Sequence, residues 1–334
     1  MNRAVGGVEF CDGPGLADVR LAAGRLRGRV VRTPLIENPA LNAAVGGRLF
    51  LKAETLQETG SFKLRGAFNR LLQLDDSQRR AGVAAFSSGN HAQGVARAAQ
   101  ALGIPAVIVM PADAPALKVA RTQGYGAEVI FYDRTTESRE EIAARLAAER
   151  GAVVVPSFDD PHIIAGQGTA GLEAAEDLAA LGVAPDLFVS NCGGGGLASG
   201  CTLALRDAFP GIEVILVEPE HYDDAGRSLA AGERLSIAGY APTLCDALQT
   251  PMIGALTFPI LRAAGARGVA VSDAEVQRAV AFAFRELKLV VEPGGAAALA
   301  AVLAGKVPVA GRTAVLTLSG GNVDAETFAR CLEA

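Results

Sequence analysis

From about residue 81 the chain alternates short apolar runs with longer, alanine-rich amphipathic stretches. VAAF (83–86), AVIVM (106–110), EVIFY (128–132) and AVVV (152–155) are separated by helix-like segments from Ala92 to Leu102, after Pro115 and over 135–149. Compact apolar runs predict buried strands, and the intervening periodicity predicts helices that cover them, so the expected unit is a mostly parallel sheet. The pattern restarts with LFVS (187–190), EVILV (213–217), a segment around 268–271 leading into a long helix, and TAVLTL (313–318). RLFLKAE (48–54) is a further predicted strand, placed with the second unit because no linker isolates the first 80 residues.

In open α/β sheets, ligands bind beyond the carboxyl ends of strands. SSGNH, NCGGGG, EPEHYDD and SGGNVD all fall at such ends. Their recurrence predicts a ligand site rather than four unrelated turns.

Composition narrows the chemistry. The 334 residues, half of them hydrophobic, exceed one compact core, so two domains are expected. The opening MNRAVGGVEFCDGPGL puts no long apolar run behind a basic leader, so neither a signal peptide nor a membrane span is expected, and a cytoplasmic location follows. Five cysteines (Cys11, Cys192, Cys201, Cys245, Cys331) are scattered without CxxC spacing, which disfavours a disulfide framework or zinc knuckle. A formal charge of -5 and only five lysines (Lys52, Lys63, Lys118, Lys288, Lys306) speak against a nucleic-acid partner. Small-molecule chemistry is the expectation.

GGGG (193–196) follows a strand and precedes an apolar helix-like segment, so its N–H groups can converge on an anion. CGGGGLASG lacks the GxGxxG dinucleotide spacing and does not end in GK[ST]. A flexible turn is the plain alternative. One phosphate held by glycines, with Lys63 on another loop, fits a phosphorylated aldehyde, and pyridoxal phosphate combines that aldehyde with a ring and a phosphate.

ETGSFKLRGAF (58–68), SSGNHAQGVA (87–96), AGQGT (165–169), GGGGLASG (193–200), VEPGGAAALA (291–300) and LSGGNVD (318–324), in this order, closely resemble the serine/threonine dehydratase and serine racemase group of fold type II pyridoxal phosphate enzymes. The resemblance implies an α/β, tryptophan synthase β-like fold with two open, mostly parallel sheets. It implies a large cofactor-binding domain (1–81 and 159–334) and a small, mobile substrate-binding domain (82–158). By the same resemblance Lys63 carries the cofactor as a Schiff base beside Phe62, and Asn90 hydrogen-bonds the ring hydroxyl. Gly193, Gly194, Gly195, Gly196 and Leu197 hold the phosphate, Glu292 lies near the ring face, and Ser319 faces the pyridine nitrogen. Ser87, Ser88, Asn90 and His91 match the substrate-carboxylate loop, and Arg139 and Ser157 match positions on the substrate side. Capping is the alternative for Ser319, and satisfaction of nearby backbone groups for His91. A serine hydroxyl at the ring nitrogen leaves that nitrogen mostly neutral, which favours prompt loss of a β-substituent.

The implied reaction is β-elimination from a hydroxyamino acid, L-threonine or L-serine first, giving a 2-oxo acid and ammonium with Lys63 as the base at Cα. Serine racemisation is an alternative, because Ser88 matches the serine that stands opposite the lysine in racemases. Elimination from 3-hydroxyaspartate is another, with an arginine such as Arg139 meeting the extra carboxylate. A non-catalytic amino-acid-binding α/β protein is the reading from a different class, and it requires no covalent cofactor. The resemblance also implies a homodimer. It implies an Mg²⁺ or Ca²⁺ site in VEPEHYDD, formed by the Glu218 and Asp224 carboxylates and the Tyr222 carbonyl, oxygen ligands that suit a hard cation. A charged surface loop is the alternative there. Asp246-Ala247 stands where many members of the group carry Asp-Gly, in a stretch close to the substrate, so substrate choice stays open.

Overall fold

The computed structural model describes residues 13–334 apart from 88, 115 and 134. The apolar runs become strands β1 (Leu35–Glu37), β2 (Arg48–Ala53), β3 (Val83–Phe86), β4 (Ala106–Pro111), β5 (Glu128–Tyr132), β6 (Val153–Val154), β7 (Leu187–Asn191), β8 (Glu213–Pro219), β9 (Arg267–Val271) and β10 (Thr313–Leu318). They form a six-stranded sheet in the order β1-β2-β10-β7-β8-β9 and a four-stranded sheet in the order β5-β4-β3-β6. β1 runs antiparallel to β2, and the other pairings are parallel. RLFLKAE does join the larger sheet: β2 pairs with β10 from Arg48 opposite Thr313 to Ala53 opposite Leu318.

Alternation along each central strand divides the large core in two. Leu49, Leu51, Leu187 and Val189 face the helix Pro293–Leu303, whereas Phe50, Phe188 and Val315 face the helices Pro161–Ala180 and Gly196–Ala208. These last two helices cross with their backbones in contact. A Cβ on Gly168 would lie 2.7 Å from the Gly200 carbonyl oxygen, and one on Gly200 would lie 2.3 Å from that of Ile164. Gly168 of AGQGT and Gly200 of GGGGLASG therefore serve helix packing.

Two helix starts differ from the sequence pattern. The stretch expected from Ala92 begins at Asn90, so Asn90 and His91 occupy its first turn. The stretch expected from 135 begins at Arg139, because the Ser138 side chain accepts from the Glu141 N–H and caps the helix there. No helix among the described residues is long and apolar enough to cross a membrane.

Candidate active site

The loops at the carboxyl ends of β3, β7 and β10 open on one cavity of about 470 Å³. Lys63 enters it from the first turn of the helix Lys63–Leu71. That turn is tied to the end of β10: the Phe62 N–H donates to the Ser319 carbonyl at 3.2 Å, and Ser61 bridges Gly320. The Lys63 Nζ donates to the Ser157 carbonyl at 2.8 Å and lies 5.1 Å from the centre of the Phe62 ring. Burial pushes its amine down to about 8 against the opposing charge of Glu292. Lys118 behaves oppositely: burial alone would lower it, but Asp246, 2.5 Å away, holds it above the ordinary lysine value. Competitive acetylation of the purified, ligand-free protein, read by mass spectrometry, is therefore expected to label Lys63 half-maximally near pH 8 and Lys118 only at higher pH. Superimposable profiles would refute the difference.

The glycine loop forms an anion cradle. Gly195 adopts a left-handed conformation (φ 86°), and none of the N–H groups from Gly193 to Leu197 donates to another described group. They stand free at the N-terminus of the helix Gly196–Ala208, where the helix dipole favours a negative charge. The cradle has no room for side chains: a Cβ on Gly194 would sit 2.3 Å from the Phe158 ring. Free N–H donors, a depressed lysine amine and a shared cavity fit a phosphorylated aldehyde.

Ser319 is aimed by a residue that sequence reading missed. Asn191 Oδ1 accepts from the Ala298 N–H, so its Nδ2 is the end that faces Ser319 Oγ, at 2.9 Å, its two protons shared among that oxygen and the Gly295 and Thr317 carbonyls at 2.9 and 3.2 Å. With Oγ accepting, the Ser319 proton is left for the cavity that Ser319 lines. The available signal was an asparagine closing a short, mostly apolar strand directly before CGGGG.

Asn90 Nδ2 donates to Glu292 Oε1 at 2.5 Å, and both residues line the cavity. Burial, then the charge of Asp246, pushes the Glu292 carboxyl up to about 8. His91 Nε2 meets the Val155 carbonyl at 2.9 Å, which fixes the proton there and leaves Nδ1 buried without a partner. Burial, then Lys63, drives this ring down to about 3, so it stays neutral. The first helical bond after β3 runs from Gln93 N–H to Gly89 C=O, and among the described residues no group accepts from the backbone N–H of Asn90 or His91. Ser87 Oγ accepts from the Gly89 N–H at the same turn. Arg139 reaches the cavity with its guanidinium 5.6 Å from the Phe86 ring centre and its Nε on Glu140. Ser157 also lines the cavity, with its carbonyl engaged by Lys63. Ser88 lies outside the described residues.

Glu218, Tyr222 and Asp224 do not line the cavity. Glu218 is buried, its two oxygens accepting from the Ala225 and Gly226 N–H groups at 2.9 and 2.8 Å. Asp224 is also buried, and burial pushes its carboxyl up to about 7 against the Ile253 N–H and its own N–H, which favour the charged form. Burial, then Asp224, pushes Glu218 up to about 8. Among the described residues no group of three or more His, Cys, Asp and Glu is arranged to hold a metal ion. Cys192 stays a buried thiol, raised by burial and then by Glu218 and Asp224.

The family model for pyridoxal-phosphate dependent enzymes matches residues 26–320. An L-threo-3-hydroxyaspartate ammonia-lyase of Pseudomonas sp is 48% identical over 316 residues, 95% of this chain and 98% of that protein. A serine racemase of Schizosaccharomyces pombe is 42% identical over 96% of this chain and 97% of its own. Among solved structures, a threonine deaminase from T.th. superimposes with a TM-score of 0.88 at 45% identity, covering 93% of this chain and 99% of its own.

Proposed function

The chain belongs to the pyridoxal-phosphate dependent enzymes, and from that premise we propose that it is an ammonia-lyase that converts a 3-hydroxyamino acid to a 2-oxo acid and ammonium by β-elimination. The observation that carries this reading is the shared cavity of Lys63 and the free N–H cradle of Gly193 to Leu197. Pyridoxal phosphate, when bound, supplies an aldehyde for the substrate amine and a ring that draws electron density from Cα. In this reading the cradle holds the phosphate, and Lys63, whose amine burial holds below the ordinary lysine value, takes the Cα proton in its uncharged form. The Ser157 carbonyl gives the Lys63 amine a fixed resting place. The Asn90 and His91 N–H groups receive the substrate carboxylate, a role the neutral His91 ring does not share because its one N–H is spent on Val155. The Ser319 hydroxyl donates to the ring nitrogen and leaves it unprotonated, which favours elimination over longer-lived carbanion chemistry. Ser88 is the proposed opposite-face acid for any racemisation. The 82–158 unit is proposed to close over the substrate, and a homodimer belongs to the same reading.

Threonine and serine are the simplest substrates. A substrate with a second carboxylate is favoured by one feature: Arg139 and Arg234 both line the cavity, and Arg234 is oriented by the Ile253 carbonyl rather than by an acid. The Pseudomonas relative named for 3-hydroxyaspartate supports it. A panel of L- and D-serine, L-threonine and the 3-hydroxyaspartate stereoisomers, followed by 2-oxo acid and enantiomer formation, tests both levels. No 2-oxo acid from any of them defeats the lyase assignment, and threonine turnover without hydroxyaspartate turnover defeats the dicarboxylate one.

We also propose that Glu218, Asp224 and the Tyr222 carbonyl hold a divalent cation, a reading supported by the buried Asp224 carboxylate lying close enough to Glu218 to push its carboxyl up. Mg²⁺ or Ca²⁺ added to chelator-treated protein at about 100 times its dissociation constant is expected to stabilise the fold by about 2.7 kcal/mol in thermal unfolding. An unchanged melting curve with both ions would remove the site.

A further inference from the structure

A side-chain amide presents either its oxygen or its nitrogen to a ligand, and neighbours of fixed polarity decide which. Asn322, in the loop after β10, has two such neighbours. Arg121, on the helix Ala116–Gly124, can only donate, and its Nη1 meets Asn322 Oδ1 at 2.8 Å. The Thr59 carbonyl can only accept, and it takes Asn322 Nδ2 at 2.8 Å. Asn322 is buried and therefore set in one orientation. Its second Nδ2 proton goes to Asn90 Oδ1, again at 2.8 Å. That contact fixes Asn90 in turn: its oxygen is occupied, one Nδ2 proton goes to Glu292, and the other is left for the cavity.

We infer that Arg121 and Asn322 are positioning residues that act through Asn90, forcing it to present an N–H rather than an oxygen to the cofactor's ring hydroxyl. The relay rests on the proposed cofactor site. It also crosses between the two sheets, because Arg121 lies between β4 and β5 and Asn322 follows β10. The orientation of Asn90 thereby depends on the smaller unit being docked. Turning Asn90 over would set its Nδ2 against Asn322 Nδ2. The sequence hides this, since Arg121 reads as an exposed helix arginine and Asn322 as part of a glycine-rich turn.

Asn322→Asp separates the relay from simple packing. Aspartate keeps an acceptor for Arg121 but offers an oxygen to Asn90, so the Asn90 amide turns over and faces the ring hydroxyl with Oδ1. In the reconstituted holoenzyme, intensity is expected to pass from the visible cofactor band to the near-ultraviolet band. The cofactor dissociation constant, from titration of the apoenzyme, is expected to rise about tenfold. Arg121→Met, made at an exposed position, is expected to shift the spectrum in the same direction with about a threefold loss of affinity. Combined with Asn322→Asp it should add nothing, because both changes act on one chain of contacts. A wild-type spectrum and affinity in either single variant overturns the relay, and Arg121→Met keeps the test open should Asn322→Asp fail to fold. Asn90→Ala separates the two levels. If it shifts the spectrum and Asn322→Asp does not, the relay alone fails. If Asn90→Ala also leaves the spectrum unchanged, the ring-hydroxyl contact fails and the relay with it.

Discussion

Lys63→Ala, supplied with pyridoxal phosphate, is expected to lose the borohydride-reducible link to the cofactor and at least about 10³-fold of its elimination turnover. The size follows from two uses of one nitrogen, as the amine that takes the aldehyde and as the base at Cα. No second amine in the cavity replaces it. Lys118 also lines that space, but Asp246 holds it charged, and an ammonium is neither nucleophile nor base. Lys63→Arg makes the sharper control. It preserves a long cationic side chain, yet guanidinium stays protonated across the working pH range, so it should be as inactive as alanine. Both variants keep the free N–H cradle and should still bind the cofactor reversibly. Steady-state 2-oxo acid formation measures the loss of turnover. Mass spectrometry of the Lys63 peptide after borohydride measures the loss of the covalent link. Activity within about tenfold of wild type in Lys63→Ala would assign the chemistry to another group.

Arg65→Met should be the most damaging substitution for stability near the site. Two residues after Lys63, Arg65 is fully buried, with Nε and Nη2 on Glu54 at 2.8 and 2.9 Å and Nη1 on Glu173 at 2.7 Å. Lys52 completes the group through Glu173 at 2.6 Å, so two cations meet two anions away from water. Methionine preserves much of the volume but leaves Glu54, itself fully buried, without its principal partner. The expected loss is about 3–5 kcal/mol, the usual cost of stranding one half of a buried ion pair. Urea unfolding of the apoenzyme measures it. Adding Glu54→Leu removes the stranded charge and should restore more than half of the loss. The pair also predicts an acid signature. Burial alone would raise the Glu54 carboxyl, but Arg65 and then Lys52 hold it below its ordinary 4.5. A depressed carboxylate stabilises the fold fully above its unfolded value, and that contribution disappears as pH falls through the folded value. Arg65→Met should flatten the stability loss below about pH 4.5.

The strands and their carboxyl-end loops were legible because burial on both faces leaves a continuous apolar run and a glycine-rich turn leaves its own mark. VAAF, LFVS, EVILV and TAVLTL each became a strand of the expected sheet, and three of the four loops met at one cavity. The fourth did not, because periodicity says where a strand ends but not how far its loop is carried from its neighbours. Arg65 illustrates another limit. In FKLRGAF it has the look of a polar position on an amphipathic helix, and only Glu54 and Glu173, 11 and 108 residues away, make its burial tolerable. Asn191, Asn322 and the Lys118–Asp246 pair were missed for the same reason. Their meaning lies in partners more than 100 residues distant.

The strand order has a consequence for how the protein is made. β10, the last strand along the chain, lies between β2 and β7 in the middle of the larger sheet. A growing chain therefore holds two half-sheets with exposed inner edges until β10 arrives, the period in which non-local sheets are most prone to mispairing. The same event brings Ser319 to Phe62 and Asn322 to Asn90. A nascent chain that stops short of β10 thus lacks the keystone of its sheet and one wall of its cofactor site together. Cofactor capture should follow the emergence of β10 rather than precede it.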